Sequence, residues 1–416
     1  MKKKVFSFAV CLLLIVSMLG CLVGAAGPKP VTIKVFMGSP EYSDAMNALV
    51  KEYKKVAPNV TIQLEIMQTD LPTVLKARIA AGNTPDVFQT TAGGEIEAYA
   101  EYSADLTKEP LAKAMTATIR NDMSSNGKVL GLPIKGNVFA LVYNKGLFTK
   151  AGITAVPKTL SQMEEACKKL EAKGITPFGN GYKEWWVHKH VFQHFLDAAS
   201  NDPGKLAADF IAGKTTFKAH PILYQYFDFV DLTVKYGLPK PLECDFNGEV
   251  SAMGTGKVAM ITGQGAWAEE GILKMDPSIK LGIMGYPVNN DPKNSKIIYG
   301  ADQALRIAKD SKVLSETKKF FNWMYTSSYG RNTWFPKVAK VVPPIVNAPA
   351  PDLQIPKAAQ EIMKKEPAGA LAINYSLDSF HQKFGEIVQA YIAKAKTRDE
   401  AVNEIQQAWI KLGGVK

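Results

Sequence analysis

Flat aromatic side chains beside predicted strand ends are the residues of this sequence best suited to bind a small molecule. Trp267 follows the apolar strand pattern 258–261 and a glycine-containing turn, while Trp185 and Trp186 follow a glycine-rich loop. Indole rings in such loops stack on flat apolar ligand faces, and the alternative for each is packing in a core. Because adjacent positions point in different directions, one of Trp185 and Trp186 should face a ligand. Trp334 is a further candidate.

Polar side chains accompany the same predicted loops and supply the hydrogen-bonding groups that such a site needs. These candidates are Glu41, Asn137, Lys183, Glu184 and Asp302. Aromatic platforms with carboxylates, amides or ammonium groups at their edges suit a sugar, which has apolar C–H faces and a rim of hydroxyls. The alternative for each polar residue is ordinary solvated surface.

Three histidines have a spacing that invites a metal interpretation. His188, His190 and His194 form an H-x-H-x-x-x-H array, and the last two share one helix face. No Glu follows His190, so the H-E-x-x-H arrangement of zinc proteases is missing. We therefore predict that the histidines lie on a helix surface with their hydrogen bonds satisfied, and we predict no metal site.

Other catalytic and nucleotide-binding patterns are incomplete. Residues 254–257 lack the first glycine of a phosphate-binding loop, and 263–268 lack the helix and acidic partner of a dinucleotide site. No G-x-S-x-G sequence occurs. The neighbouring pairs Glu164–Glu165 and Glu269–Glu270 point apart and form no ready pair for glycoside hydrolysis. The sequence therefore predicts no catalytic residue and no cofactor.

The N-terminus has the pattern of an export signal. Lys2, Lys3 and Lys4 precede an apolar run, 5–19, that is shorter than a membrane span, so residues 1–20 are predicted to be a signal peptide. Residues 18–21 resemble the lipobox of bacterial lipoproteins, which predicts lipid attachment at Cys21. The competing prediction is ordinary signal-peptidase cleavage near the small residues 24–26.

Length, charge and cysteine usage narrow the class of protein. A chain of 416 residues predicts two to three domains. The formal net charge is +11, but the basic residues after the signal are scattered, so no nucleic-acid partner is predicted. Cys167 and Cys244 could pair in an oxidising compartment, although Cys167 lies on the apolar side of a predicted helix and suits a buried thiol.

Strand and helix patterns alternate in the first part of the chain. The patterns 31–37, 60–66 and 86–89 read as strands, and two helical patterns separate them. This order predicts a doubly wound α/β sheet, in which ligands lie beyond the carboxyl ends of the strands. Later, the apolar run Val138–Tyr143 reads as one buried strand that crosses between domains.

Several phrases resemble one known family. They are the AAGNTPDV sequence of 80–87, the GLPIKGNVFALVYNKGLF sequence of 131–148, the KGITPF sequence of 173–178 and the GKVAM strand of 256–260 followed by Trp267. Together they identify the chain as resembling family 1 of the extracellular solute-binding proteins, the carbohydrate type, of bacterial ABC importers. The resemblance spans nearly all of the chain after the signal. Asp302 and Gln303 depart from the family's more glycine-rich pattern.

The resemblance implies a fold and its division into domains. The expected fold class is α/β, periplasmic-binding-protein-like type II, with two α/β lobes joined by crossover strands and a ligand cleft between them. The first lobe is predicted to contain 28–135 and 297–345, and the second 138–292 and 350–416. Hinge closure around the ligand is expected to follow from this arrangement.

The resemblance also implies a function. The expected protein binds a mono- or oligosaccharide between its lobes, delivers it to a membrane permease, acts as a monomer and has no enzymatic activity. The expected location is outside the cytoplasm, either lipid-anchored to the cell membrane or periplasmic. The alternatives are an exported glycoside hydrolase or lyase, a sugar-sensing receptor subunit, and a binding protein for a polyol or glycerol phosphate.

Overall fold

The computed structural model describes residues 29–67 and 71–414. The predicted signal peptide and Cys21 lie outside the described residues. Within those ranges, no helix combines the length and apolar composition needed to cross a bilayer. The described chain forms two four-stranded sheets, a short strand pair that connects them, and a small separate hairpin.

Most of the strands coincide with alternating or continuous apolar runs of the sequence. In chain order they are β1 (Val31–Met37), β2 (Val60–Ile66), β3 (Val87–Thr91), β4 (Ser124–Ser125), β5 (Lys128–Val129), β6 (Asn137–Phe139), β7 (Leu141–Asn144), β8 (Thr176–Gly179), β9 (Val258–Ile261), β10 (Leu281–Met284), β11 (Ile298–Gly300) and β12 (Gln303–Ile307). The first two have the predicted bounds, and β3 is displaced by one to two residues.

The helices are, in chain order, α1 (Ser43–Val56), α2 (Leu71–Ala80), α3 (Gly94–Ala98), α4 (Pro110–Ala114), α5 (Ala117–Asp122), α6 (Lys145–Lys150), α7 (Leu160–Glu171), α8 (Trp185–Ala199), α9 (Pro203–Ile211), α10 (Pro221–Lys235), α11 (Phe246–Gly254), α12 (Glu269–Met275), α13 (Leu314–Thr326), α14 (Gln354–Met363), α15 (Asp378–Ile392) and α16 (Arg398–Leu412). Short 3-10 turns and a π-helical segment, Gly330–Val338, complete the described elements.

The first sheet has the strand order β12-β3-β1-β2. β1 runs parallel to β2 and β3, whereas β12 is antiparallel to β3. The alternating strand and helix order explains the parallel part, because parallel neighbours need a crossover connection. The carboxyl ends of β1 and β3 therefore meet at one edge, together with the start of β12. We call this sheet and the residues packed on it lobe 1.

The second sheet has the strand order β10-β7-β9-β8. Its strands β9 and β10 are buried at every position, in agreement with their unbroken apolar sequences. β9 pairs in parallel with β8 and antiparallel with β7. We call this sheet and the residues packed on it lobe 2. The loop after β9 leads directly to Trp267.

The apolar run that was predicted to be one crossing strand is split. β6 pairs with β11 in a two-stranded ladder, while β7 belongs to the sheet of lobe 2. Ala140 separates them because its N–H donates to the carbonyl of Gln264. A further crossing segment lies beside this ladder, since Gly136 N–H donates to the carbonyl of Val342 over 2.8 Å. The prediction of a single continuous strand is therefore wrong.

Two predicted helix starts are confirmed by their capping hydrogen bonds. The Thr159 hydroxyl accepts the N–H of Gln162 at the start of α7. Thr397 and Glu400 form a reciprocal capping box at the start of α16. Such caps satisfy N–H groups that the first helical turn leaves unpaired. Cys167 is buried on α7, as predicted, and both it and Cys244 are free thiols.

Each lobe has its own apolar core. The core of lobe 1 joins residues from Ile33 to Ile134 with residues from Ala301 to Ile345. In lobe 2, one core lies between the β-sheet and the helices of the C-terminal region. Another core covers the opposite face of the same sheet. The discontinuous division of the chain into 28–135 with 297–345 and 138–292 with 350–416 stays a prediction.

Candidate functional site

Trp267 lies in the loop that follows β9, at the edge of lobe 2. Its indole N–H donates to the side-chain oxygen of Gln264 over 2.9 Å. A Cβ at Gly265 would approach the Val138 carbonyl to 2.0 Å and the indole ring to 2.4 Å. The close approach of this loop to the crossing strand therefore requires glycine, and it holds the half-buried indole in one orientation.

A buried carboxyl group supports Gln264 from behind. The side-chain amide of Gln264 donates to Glu249 Oε2 over 2.6 Å, and the Thr262 N–H donates to Oε1 over 3.2 Å. Burial raises the pKa of Glu249 to about 8, even though these hydrogen bonds act to lower it. Glu249 is therefore mostly uncharged at neutral pH and positions Trp267 through Gln264.

Three further rings join Trp267 in one aromatic cluster. The ring centres of Phe139 and His190 lie 5.4 and 5.7 Å from that of Trp267, and Trp186 lies 5.2 Å from His190. Most of these contacts are edge-to-face or tilted, which aromatic quadrupoles favour. We call Trp186, His190, Phe139 and Trp267 the ring cluster. It brings together two of the predicted tryptophans.

His190 is held in a defined protonation state within the ring cluster. Its Nδ1 lies 3.0 Å from the carbonyl of Gly263, so Nδ1 carries the hydrogen and donates it. Burial, together with the charge of Lys189, keeps the pKa of His190 well below its ordinary value. The ring is therefore neutral, and its Nε2 is a hydrogen-bond acceptor.

The prediction that the three histidines lie on a satisfied helix surface is wrong for His188 and His194, whereas His190 is only partly buried. His188 and His194 are buried, because α10 and α15 pack against α8 on both sides. His188 contacts Tyr226, and His194 Nδ1 lies 3.0 Å from the carbonyl of Lys296. They point into the lobe rather than toward a shared ligand, and the described residues contain no group of metal-binding side chains.

The remaining predicted residues of the 183–186 loop are separated by their contacts. Trp186 donates its indole N–H to Glu184 over 3.1 Å, so both lie beside the ring cluster. Trp185 is half-buried and packs under the ammonium group of Lys189, 5.4 Å from its ring centre. Lys183 is exposed and forms a 3.7 Å ion pair with Asp245. The structure thus joins Trp186 and Glu184 to Trp267 but leaves Lys183 apart.

Lobe 1 contributes a polar wall at the carboxyl ends of β1 and β3. The Ser39 hydroxyl donates to Gln303 over 2.8 Å, and the side chain of Gln89 accepts the Gly38 N–H over 3.0 Å. These bonds fix the turn that carries Glu41 and the segment that carries Asp302. Both predicted carboxylates therefore lie on the same wall.

Lys135 connects this wall to the ring cluster. Its ammonium nitrogen lies 5.0 Å from the ring centre of Tyr42 in lobe 1 and 5.5 Å from that of Trp267 in lobe 2. Burial alone would lower the pKa of Lys135, but the nearby Tyr42, Asp302 and Glu41 outweigh it, so the pKa lies above its usual value. Lys135 is therefore charged, and it faces an aromatic ring from each lobe.

Asn137 and Trp334 have different environments. Asn137 is buried on β6, opposite Gly300 in the connecting ladder and two residues from Lys135. Trp334 is 0% exposed in the core of lobe 1, where its indole N–H donates to the carbonyl of Ala45 over 2.7 Å. Its ring is fully used in packing, so we exclude Trp334 from the site.

The lobes also meet at Gly93. A Cβ at this position, where φ is +67°, would lie 2.0 Å from the carbonyl oxygen of Asn374 in lobe 2. Two cavities flank this contact at the boundary between lobes. One of about 280 Å³ is lined by residues that include Glu95 and Ser379, and one of about 350 Å³ by residues that include Asp122. Lys135 lies over the Trp267 ring, and no member of the ring cluster lines either cavity.

Sequence reasoning missed Lys135, Tyr42 and Phe139, and it considered His190 only as a possible metal ligand. Lys135 carried one local signal, because it stands between the breakers Pro133 and Gly136 at the start of a crossing segment. The other three have no local signal, since long-range packing alone brings them to Trp267. The ring cluster and the charged wall together form a site that can stack a flat ligand and bind its polar rim.

Two α/β lobes, three crossing segments and an aromatic and polar site between the lobes define a two-domain binding protein. The model of the family described as bacterial extracellular solute-binding protein matches residues 39–331. The chain belongs to this family. The predicted family and the predicted type II periplasmic-binding fold are confirmed.

Relatives and solved structures agree with that assignment. The multiple sugar-binding protein of Streptococcus mutans is 25% identical over 305 residues, which cover 71% of each chain. The melibiose/raffinose/stachyose-binding protein of Bacillus subtilis is 25% identical over 307 residues, 71% of this chain and 70% of that one. An open-conformation crystal structure of the Bacillus subtilis binding protein msme superposes with a TM-score of 0.78 at 19% identity, covering 93% of this chain and 98% of that one.

Proposed function

We propose that this protein binds a mono- or oligosaccharide between its lobes and delivers it to the membrane permease of an ABC importer. The observation that carries the proposal is the ring cluster on lobe 2 facing Lys135, Glu41 and Asp302 on lobe 1. A sugar ring presents C–H faces to aromatic rings and hydroxyl groups to charged side chains. The sugar-binding relatives named above support the same ligand class.

The proposed binding contacts come from both lobes. Trp267, Trp186 and His190 would stack against or border the sugar, while Asn137, Glu184, Glu41 and Asp302 would bind its hydroxyls. Trp185 and Lys183 are expected to contribute less to sugar binding, because their side chains contact other residues of lobe 2. Closure of the two lobes around the ligand would complete the site, and the permease would then bind the closed form.

Proteins of this family lie outside the cytoplasm. For this protein we further propose a lipid anchor and a monomeric state. The proposed protein is exported by the signal peptide 1–20 and tethered through a lipid on Cys21, with free periplasmic protein as the alternative. It acts as a monomer. Mass spectrometry of the mature N-terminus tests the anchor, because an unmodified Gly or Ala at 24–26 would contradict it.

We further propose that the protein has no enzymatic activity. Glu269 accepts the backbone N–H groups of Gln354 and Ile355, and Glu270 pairs with Lys340. Each of these two carboxylates therefore has a structural partner, and neither is free to act as the acid or the nucleophile of a glycoside hydrolase. A sugar-sensing receptor subunit would use the same cleft and differs only in its membrane partner.

Calorimetric titration with melibiose, raffinose and stachyose tests the ligand class, with Trp267→Ala as the matched variant. We expect saturable binding by the wild type and about tenfold weaker binding, or more, by the variant, because a stacked indole supplies contact area and a favourable face. Turnover of any of these sugars would favour the hydrolase. Binding only to glycerol 3-phosphate or a polyol would contradict the sugar assignment.

A further inference from the structure

Asp122 is a carboxylic acid at the end of α5 that belongs to lobe 1 and faces lobe 2. Its neighbours Ile119 and Met123 pack in the core of lobe 1, so that lobe fixes its position. A Cβ at Gly300 would lie 2.8 Å from Asp122 Oδ2 and 2.3 Å from the side chain of Leu371. Asp122 and Leu371 therefore approach the same backbone position, one from each lobe.

Leu371 begins the segment of lobe 2 that covers this carboxyl group. The next residues, 372–373, are buried in the core of lobe 2, so the segment is attached to that lobe. Asn374, on the same segment, donates its side-chain amide to the carbonyl of Ala301 over 3.3 Å. The N–H of Ala301 donates to Asp122 Oδ2 over 2.8 Å. A hydrogen bond to one residue of lobe 1 therefore joins lobe 2 to the surroundings of Asp122.

The surroundings of Asp122 supply no counter-charge. Within the described residues, no lysine or arginine pairs with it, and the group that favours its charged form is the Ala301 N–H. Arg120, on the same helix, is exposed. The titratable groups on the elements around it are acidic or phenolic, namely Glu97 on α3, Tyr299 on β11, and Asp202 and Tyr375 of lobe 2. An ionised carboxylate is costly in such a place, because burial removes its water and no cation replaces it.

Burial of Asp122 depends on the contact between the lobes. The cavity of about 350 Å³ beside it is lined by residues of both lobes, among them Gly93 and Tyr375. Burial here raises the pKa of Asp122 to about 7, against an ordinary value of 3.8, although the hydrogen bond from Ala301 acts to lower it. Separation of the lobes would admit water to the carboxyl group and return its pKa toward the ordinary value. Closure of the lobes at neutral pH therefore takes up a proton.

Two other buried carboxyl groups have to be distinguished from Asp122. Glu249 lies inside lobe 2 and keeps its surroundings when the lobes separate. Glu95 lines the other cavity at the boundary, of about 280 Å³, and burial raises its pKa as well, with a further contribution from the charge of Asp378. Glu95 is therefore the alternative proton-binding group that an experiment has to separate from Asp122.

We propose that Asp122 is a proton-dependent switch between the lobes, in which the protonated carboxyl group permits the closed arrangement and the ionised carboxylate favours the open one. The proposal rests on the proposed function for the ligand whose affinity reports closure. The proton stabilises the closed arrangement fully below pH 3.8, where both arrangements hold it, and this contribution is lost as the pH rises through 7. Sugar affinity should therefore fall from pH 6 to pH 8.

Calorimetry of the full mature protein with melibiose, raffinose and stachyose at pH 6, 7 and 8 measures the affinities. The variants are Asp122→Asn and Glu95→Gln, with Asp310→Asn as the control, because the Asp310 side chain of lobe 1 is 88% exposed. Titrations at pH 7 in buffers of different ionisation enthalpy measure the protons taken up on binding. Thermal unfolding without ligand checks that each variant is folded.

We expect the wild type to bind its best sugar about tenfold more tightly at pH 6 than at pH 8, and to take up about half a proton at pH 7, as for one group with a pKa of about 7 in the closed arrangement alone. Asp122→Asn, which is uncharged at every pH, should bind at pH 8 about as tightly as at pH 6. Asp310→Asn should match the wild type, and Glu95→Gln should keep the difference that Asp122 causes.

Three outcomes would overturn the proposal. Constant wild-type affinity from pH 6 to pH 8 without proton uptake would refute the switch, whether or not Asp122→Asn folds. A pH dependence that survives in Asp122→Asn and disappears in Glu95→Gln would assign the proton to Glu95. If the wild type binds none of the sugars, the proposed function fails, and small-angle scattering of the unliganded protein tests the switch instead. The wild type should then have a smaller radius at pH 6 than at pH 8, and equal radii would refute the switch.

Discussion

The side chain of Gln264 accepts the indole N–H of Trp267 over 2.9 Å and so fixes the ring that borders the cleft between the lobes. Gln264 is itself fully buried and donates to Glu249. The orientation of an aromatic surface in the site is thus determined by a carboxyl group inside lobe 2. We call these two hydrogen bonds, from Trp267 to Gln264 and from Gln264 to Glu249, the relay. A substitution in the relay can change ligand binding without removing a side chain that contacts the ligand.

Replacement of Gln264 should weaken sugar binding without removing any proposed ligand contact. In Gln264→Leu the indole loses its acceptor and Glu249 loses a donor, so the ring is less constrained. We expect about 2- to 10-fold weaker binding, the range for loss of one hydrogen bond. Calorimetric titration measures it, and Gln382→Leu, at an exposed position on α15, is the control. Equal affinities in both variants would exclude the relay.

Glu249 should make stability depend on pH. Its pKa is about 8 in the folded protein, against an ordinary value of 4.5. The folded state therefore retains a proton that the unfolded state loses, and this contribution is complete below about pH 4.5 and declines as the pH rises to 8. Urea unfolding from pH 5 to 9 should show the decline. Glu249→Gln should have a flatter profile, and parallel profiles would contradict the assignment.

Gly93 should be needed for close approach of the lobes. Gly93→Ala would place a Cβ against the Asn374 carbonyl, so the closed arrangement should be disfavoured and sugar affinity should fall more than about tenfold. Gly82→Ala is a matched control, because Gly82 has nearly the same φ, +69°, with no atom within 4 Å of the added Cβ. Small-angle scattering with saturating sugar should show a larger radius for Gly93→Ala only. An unchanged radius would exclude the steric block.

Substitution of Trp334 should mainly lower stability, whereas substitution of Trp267 should mainly weaken sugar binding. Trp334→Ala removes a buried ring from the core of lobe 1 and should lower the free energy of unfolding by about 3–5 kcal/mol. Trp267→Ala should affect sugar affinity more than stability, since its ring is half-buried at the cleft. Urea unfolding and calorimetry on the same preparations compare them. A larger stability loss in Trp267→Ala would place that ring in a core role.

The fold was largely predictable because its signals are local. The alternation of β1 and β2, the caps at Thr159 and Thr397, and the buried strand β9 each depend on residues close in sequence. The break at Ala140 had no such signal, since it arises from a hydrogen bond to Gln264, more than a hundred residues away. Local patterns therefore gave the elements but not the division of the crossing strand.

The site was less predictable for the same physical reason. Trp267 and Trp186 were marked by glycine-containing loops, yet His190 reaches them only because α8 packs inside lobe 2. Trp334 shares the aromatic character of a binding residue, but the π-helical segment places it in a core. Exposure of a ring depends on which elements pack over it, and that information is not contained in a short stretch of sequence.

The paired ladder of β6 and β11, with the segment of Val342 bonded beside it, has a mechanical consequence. A single linker would let the two halves of the molecule swivel in any direction. We expect three neighbouring chain segments to restrict the relative motion of the lobes essentially to rotation about one hinge axis. We therefore expect each closure of the lobes to bring Trp267 and Lys135 back to the same alignment, so that less conformational entropy is lost when a ligand binds.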